Sequence, residues 1–388
     1  MSRTWQTRLI HSGATVPEGY RSLATPVYRG STTLFPSASD VNEKWDQERV
    51  GYTYGLYGTP TTLELAARIC ELENGRHTIL APGGQSAISL IDFALLKSGD
   101  HILVPRSVYG PNRKLTTALL SHFGITSTFY DPLVGGGIAS LITENTRLVW
   151  TESPGSVTME VQDVPAIVAA AHARDVTVVL DNTWSAGILF DAFAHGVDVT
   201  MQAITKYIGG HSDLLLGSIT VRDEALYQRI GAARQVIGCA VSPDDCSLAL
   251  RGLQTLGVRL AAVEDSALEI ARWLAARPDV ERVLHPALES CPGHEFWKRD
   301  FVGSSGVFSI VFKPGPTREQ VYAFVDRLQL FEIGYSWAGT TSLAVAYTIA
   351  PVPGRPRYEH RLVRFSIGLE STGDLIADLE RALPALGT

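Results

Sequence analysis

The chain has 388 residues, 45% of them hydrophobic and 19% charged, enough apolar material for a large buried core and two domains. Its 33 Lys and Arg against 40 Asp and Glu give a net charge of −7 without blocks of like charge, which argues against nucleic acid or an anionic membrane as partner and for a small-molecule site. No apolar run reaches the length of a membrane span, the four cysteines form no Cys-x-x-Cys motif, and the opening MSRTWQTRLIHSG lacks the apolar core of a signal peptide, so a reduced, cytoplasmic protein is expected.

Residues 1–60 are polar, rich in Gly, Pro, Thr and Tyr, and show no sustained period. Their aromatic residues (Tyr20, Tyr28, Phe35, Trp45, Tyr52, Tyr54 and Tyr57) predict an ordered arm laid across another surface rather than a disordered tail. From Thr61 the pattern changes. TTLELAARICELEN carries Leu63, Leu65, Ala66, Ile69 and Leu72 on one helical face, ending near Gly75. Strand-like and helical stretches then alternate: HTILA, a PGGQ turn, a helix closing on Gly99, HILVP, and a helix over 111–124 closing on Gly124. The alternation continues through ITSTFYD, IASLITEN, TRLVWTE, DVPAIVAAAHARD, VTVVLDN and VTMQAITK. Short Val and Ile runs that do not alternate in polarity predict an α/β fold with a mainly parallel sheet covered by helices on both faces. GSITVRD adds a strand too close to the preceding one for a helical crossover. A long helix over about 243–277 serves as a connector, with Asp244 and Asp245 in its first turn. VERVLHP, GVFSIVFKP, TREQVYAFVDRLQLF, LVRFSIGLE and DLIADLERALPAL then predict a smaller C-terminal α+β domain. The expected division is an arm over 1–60, a large α/β domain over 61–245, and the connector with the smaller domain over 246–388.

Ligands of open α/β sheets bind beyond the carboxyl ends of the strands, and four features fall there. The turn Pro82-Gly83-Gly84-Gln85-Ser86 leads a strand into a helix whose first N–H groups suit a phosphate. Tyr109 follows HILVPRSV and places a ring over the same crevice. Asp181 ends the apolar run VTVVL, where an unpaired charge is costly and a cationic partner is expected. Lys206, one of six lysines, is expected to end the next parallel strand, ahead of a Gly-Gly turn. A poorly solvated lysine there loses its proton readily and becomes a nucleophile toward a carbonyl cofactor. The residues alone leave open a structural pairing of Lys206 with Asp213 or with Asp181. They equally fit pyridoxal 5′-phosphate, with lysine on its aldehyde, aspartate on its ring nitrogen and the turn on its phosphate.

Longer stretches narrow the choice. ESPGSVTMEVQDVPAIVAA (152–170), LDNTWSAGILF (180–190), QAITKYIGGHSD (202–213), RGLQTLGVRL (251–260), GHEFWKRDFVGSSG (293–306), YSW (335–337) and IGLE (367–370) resemble the cysteine and methionine metabolism family of pyridoxal phosphate enzymes over nearly the whole chain. The resemblance implies a fold type I, aspartate-aminotransferase-like architecture and a homotetramer with active sites shared between subunits. It implies that Lys206 binds the cofactor covalently, that Asp181 meets the pyridine nitrogen, that Tyr109 stacks on the ring, and that Gly84, Gln85 and Thr205 hold the phosphate. Tyr54 is implied to reach the phosphate of a neighbouring subunit. Arg364 is implied to bind the substrate α-carboxylate, in keeping with the planar, bidentate chemistry of arginine, with Ser336 and Trp337 lining the same pocket. Tyr335-Ser336-Trp337 points to the branch that eliminates at the β-carbon, with cystathionine cleaved to homocysteine, pyruvate and ammonia. A carbon–sulfur lyase acting on cysteine conjugates, cystine or methionine is the alternative, and a non-catalytic cofactor- or amino-acid-binding protein a further one. Two departures bear on the substrate. Leu56 stands where the family usually has arginine, and Thr341 where it often has glutamate. No metal is expected. The segment GHEFWKRDF reads either as an exposed helix or as a contact surface.

Overall fold

A computed structural model of the protein describes residues 4–10, 23–351 and 356–387. In the arm, α1 (Trp5–Ile10) and α2 (Gln47–Val50) are the only α-helices among the described residues before Pro60, with a 3-10 turn at Ala38–Asp40. Tyr20 lies outside the described residues; three contacts hold described parts of the arm. The Tyr28 N–H donates to Thr61 Oγ1 at 2.8 Å, Arg29 pairs with Asp244, and Thr32 bridges to Tyr54. Helix α3 (Pro60–Leu72) opens with Pro60 in its first turn and buries Leu65, Ile69 and Leu72, one side of the predicted stripe.

The alternating segment folds as β1 (His77–Ala81), α4 (Gly84–Leu95), β2 (His101–Pro105), α5 (Gly110–Lys114), β3 (Thr126–Tyr130), β4 (Thr146–Glu152), α6 (Val164–His172), β5 (Thr177–Asp181), β6 (Val199–Gln202), β7 (Gly217–Val221) and α7 (Glu224–Ile237). The strands form one sheet in the order β1-β7-β6-β5-β4-β2-β3. From β6 to β3 all pairs are parallel, while β7 runs antiparallel to both β6 and β1. The central strands are largely buried because both faces are covered. Leu103, Val149, Val178 and Leu180 enter the core on one side, and Ile102, Val104, Leu148 and Val179 the core on the other.

Helix α8 (Pro243–Ala275) starts at a Ser242 cap. It leads to β8 (Val280–Leu284), α9 (His294–Asp300), β9 (Val307–Phe312), α10 (Arg318–Asp326), β10 (Leu343–Ile349), β11 (Glu359–Ser366) and α11 (Thr372–Ala382). The second sheet, β10-β11-β9-β8, is antiparallel throughout.

Three differences from the sequence expectations have local causes, and one open alternative is decided. The helix expected over 111–124 breaks after α5 into a π turn over Leu115–Leu119 and a 3-10 turn over Leu120–Phe123. Thr116 and Thr117 return their hydroxyls to the carbonyls of Asn112 and Arg113, at 3.0 and 2.9 Å, competing with the regular ladder. The strand expected to run to Lys206 stops at Gln202, because the Ala203 N–H donates sideways to Thr183 Oγ1 at 2.9 Å. Strand β10, absent from the sequence expectation, is a half-exposed edge strand without clean alternation. The segment GHEFWKRDF forms α9, which buries no residue fully yet is pinned by Arg299 to Asp163 at 2.7 Å and by Trp297 Nε1 to the Gly303 carbonyl at 2.9 Å.

Candidate active site

The carboxyl ends of β1, β4 and β5, with the turn after β6, enclose a cavity of about 350 Å³. Pro82 to Ser86, Glu152, Asp181, Thr205 and Lys206 line it, and Tyr109, Trp337 and Arg364 close its mouth. Those three and Lys206 also border an outer cavity of about 930 Å³, so the two spaces are continuous.

At the inner end, Gly84 and Gln85 open α4, and the first N–H groups of a helix have no acceptor within it. A Cβ on Gly84 would stand 2.8 Å from the Ala203 Cβ, and one on Gly217 only 2.4 Å from the Gly83 carbonyl oxygen. The turn therefore lies against β6 and β7 at a spacing that only glycine permits, and its amides face the cavity as a cradle for an anion. Gln85 Nε2 donates to the Pro111 carbonyl at 3.4 Å, and its buried Oε1, an acceptor, has no partner. Thr205 also lines the space, but its hydroxyl hydrogen is spent on the Leu216 carbonyl at 3.2 Å.

Opposite the cradle stand three charged groups. Asp181 ends β5, as expected, and its Oδ1 accepts the Thr183 N–H at 3.0 Å. Among the described residues no lysine, arginine or histidine forms a close ion pair with it, but Lys206 attracts it across the cavity; burial, the larger effect, pushes its carboxyl up. Among the described residues Lys206 likewise forms no close ion pair with Asp181 or Asp213, its attraction to Asp181 acting over a longer distance. Its Nζ donates to Ser336 Oγ and lies 5.4 Å from the Trp337 ring centre. Burial, and then the neighbouring Arg364, lower its pKa to about 8. Arg364 is buried in β11, donates to the Ser336 carbonyl at 3.1 Å, and keeps a buried Nε without a partner. Ser336 and Ala338 hold φ of 80° and 68°, a left-handed backbone that costs energy in non-glycine residues and brings this loop onto Lys206.

Glu152 is a further site residue that sequence reasoning missed. It ends β4 in register with Asp181, and its Oε2 accepts the Tyr109 N–H at 2.6 Å, fixing the residue that carries the ring. Burial and then Asp181 push its carboxyl well up. The signal was present: TRLVWTE ends on an acid as VTVVLD does.

The sequence matches the family of Cys/Met metabolism PLP-dependent enzymes over residues 6–384. The chain belongs to this family. It is 43% identical to a putative cystathionine beta-lyase of Rhizobium johnstonii over 98% of this chain and 96% of that protein. It is 40% identical to cystathionine beta-lyase MetC of Escherichia coli, with 96% of each covered. The crystal structure of metB from Corynebacterium glutamicum superposes with a TM-score of 0.90 at 29% identity, covering 99% of both chains. The family's cofactor, pyridoxal phosphate, fits the unsatisfied groups: a phosphate for the amide cradle, a ring nitrogen for Asp181 and a carbonyl carbon for Lys206.

The low pKa of Lys206 has a testable sign. An unfolded lysine keeps its proton to about 10.5, whereas Lys206 gives it up near 8. Between these values the unfolded chain binds more protons, so this group's contribution to stability rises with pH. Thermal unfolding of the cofactor-free protein from pH 7 to 10 should show the wild type gaining on Lys206→Met as pH rises. A constant difference would mean that Lys206 titrates like a surface lysine.

Tyr54 is absent from the lining of its own chain's cavity and is exposed in the arm. Its turn is nevertheless rigidly held. The Tyr57 N–H donates to the Tyr54 carbonyl at 3.0 Å, and buried Arg234 donates to the carbonyls of Tyr57 and Leu56, each at 3.0 Å, and of Cys239 at 3.2 Å. Arg234→Met would strip donors from three carbonyls, at about 1–3 kcal/mol for each one left unsatisfied. The expected result is a melting temperature lower by on the order of 5 °C, read by thermal denaturation.

Proposed function

We propose that the chain catalyses the pyridoxal-phosphate-dependent cleavage of L-cystathionine and water to homocysteine, pyruvate and ammonia, a β-elimination serving methionine biosynthesis. The observation that carries this reading is the cavity with two cations, Lys206 and Arg364, and two carboxyl groups, Asp181 and Glu152, none in an ion pair with another, beneath an anion-binding turn. Such a set is costly in an empty core and suits a phosphorylated cofactor together with an amino-acid carboxylate. The substrate follows the names of the relatives most like this chain.

When bound, the cofactor supplies an electron-accepting ring that stabilises negative charge at the substrate Cα. Arg364 holds the substrate α-carboxylate through its guanidinium and so aligns the Cα–H with Lys206. With a pKa near 8, Lys206 has an appreciable neutral fraction at pH 7 to 8 and takes that proton at Nζ as general base. Ser336 Oγ orients this amine, and the proton can pass from Nζ to the departing sulfur. Asp181 keeps its negative charge opposite the ring nitrogen. Tyr109 and Trp337 cover the reacting atoms and exclude water.

The active form in this reading is a cytoplasmic homotetramer in which Tyr54 serves the cavity of a neighbouring copy. The exposed apolar residues Leu23 and Leu34 of the arm, and the four free cysteines, support it. The test is to incubate the purified, cofactor-loaded protein with cystathionine and measure thiol and keto acid together. Homocysteine with pyruvate is expected; 2-oxobutyrate with cysteine would instead mean γ-elimination, and no thiol release would exclude the lyase reading.

A further inference from the structure

The outer cavity, about 930 Å³, is larger than an amino-acid backbone requires, so it must house whatever hangs from the substrate sulfur. Beyond Lys206 and Arg364, its charged lining consists of Arg106, Lys114, Asp131 and Glu160. Three of these are engaged. Glu160 is half-buried, accepts from Thr158 Oγ1 at 2.6 Å, and has its carboxyl pushed up by burial. Asp131 accepts the Leu133 N–H at 2.9 Å, and Arg106 Nε donates to the Phe129 carbonyl at 3.3 Å. Lys114 differs: among the described residues its ammonium has neither a carboxylate nor a hydrogen-bond partner, although it borders the cavity. It is the last residue of α5, the helix that Tyr109 caps, so its Cα is fixed relative to the ring at the cavity mouth.

We propose that Lys114 receives a carboxylate at the far end of the substrate's S-substituent. The substrate class is then cysteine thioethers with an anionic distal end, cystathionine among them. This assignment rests on the lyase reading above and adds to it the residue that selects the distal half. An exposed ammonium of this kind acts through binding rather than through the chemical step, so its effect falls on KM.

The test uses the cofactor-loaded full chain and two nearly isosteric substrates, S-(3-carboxypropyl)-L-cysteine and S-butyl-L-cysteine, with pyruvate as the readout. The wild type is expected to favour the carboxylated substrate. In Lys114→Ala the ratio of kcat/KM values, carboxylated over uncharged, should fall about fivefold to tenfold through KM. In Lys114→Glu it should fall further or invert, and the wild-type preference should weaken as salt is added. A structural role for Lys114 would lower both activities together and leave the ratio and its salt dependence unmoved. An unmoved ratio in both variants, or release of pyruvate from cystathionine but from neither analogue by the wild type, overturns the assignment while the lyase reading stands; release of pyruvate from none of the three overturns both.

Discussion

Lys206→Ala is expected to abolish thiol release while leaving the fold intact. In the proposed mechanism, loss of the general base alone removes about 10²- to 10⁴-fold, and loss of the amine proposed to hold the cofactor adds to it. The fold should survive because, among the described residues, the side chain's one hydrogen bond runs to Ser336 Oγ, and the packing it loses is a contact with the Trp337 ring. Removing a desolvated ammonium should hold the melting temperature of the cofactor-free protein level, or raise it, below pH 8. Two measurements therefore move apart: turnover collapses and Tm does not. A variant retaining a tenth of wild-type turnover would remove Lys206 from the chemistry. One that lost activity together with its cooperative unfolding would show only that the residue supports the fold.

What the sequence made legible follows the range over which each feature is determined. Asp181 could be placed because it ends a short apolar strand, where a charge has no ordinary reason to be, whereas Arg364 came from the family resemblance and sits in a strand that also carries Glu359, His360 and Arg361. The turn at Gly84 could be placed because glycine there answers to its neighbours along the chain and to a strand close beside it. Lys206 was found for a reason that is only partly right. It is not at a strand end: β6 stops four residues earlier, where Thr183 captures the Ala203 N–H, and the lysine stands in the turn that follows. That capture joins the loops after two adjacent strands, and nothing near Ala203 in sequence announces it. The meeting of Ser336 with Lys206 is further from reach. It spans 130 residues and depends on a left-handed backbone at a serine, which no propensity favours. The identity of Ser336 and Trp337 as site residues came from the family resemblance, and the contact itself only from the fold.

Asp181→Asn should separate stability from catalysis in the same way, through a different physical route. Asparagine keeps the size of the side chain and an oxygen for the Thr183 N–H, and removes only the charge. Burial raises the Asp181 carboxyl above its ordinary value, so in the cofactor-free protein the folded state resists its ionisation. Above the ordinary carboxylate range the unfolded chain releases that proton more easily, and this group's contribution to stability falls as pH rises through the raised pKa. At pH 7 the cofactor-free variant should thus be at least as stable as the wild type. Turnover should move the other way. A fixed negative charge opposite the ring nitrogen is a preorganised electrostatic element, and losing one such element costs on the order of 10²- to 10³-fold in kcat. Glu152→Gln serves as the comparison, since Glu152 lies in register beside Asp181 but spends its carboxylate on the Tyr109 amide. It should affect turnover less, because its role is to hold Tyr109 in place. Steady-state kinetics of both variants beside their thermal unfolding decide the matter: if Asp181→Asn keeps wild-type kcat, or if Glu152→Gln is the more damaging change, the carboxylate that faces the cofactor ring is not Asp181.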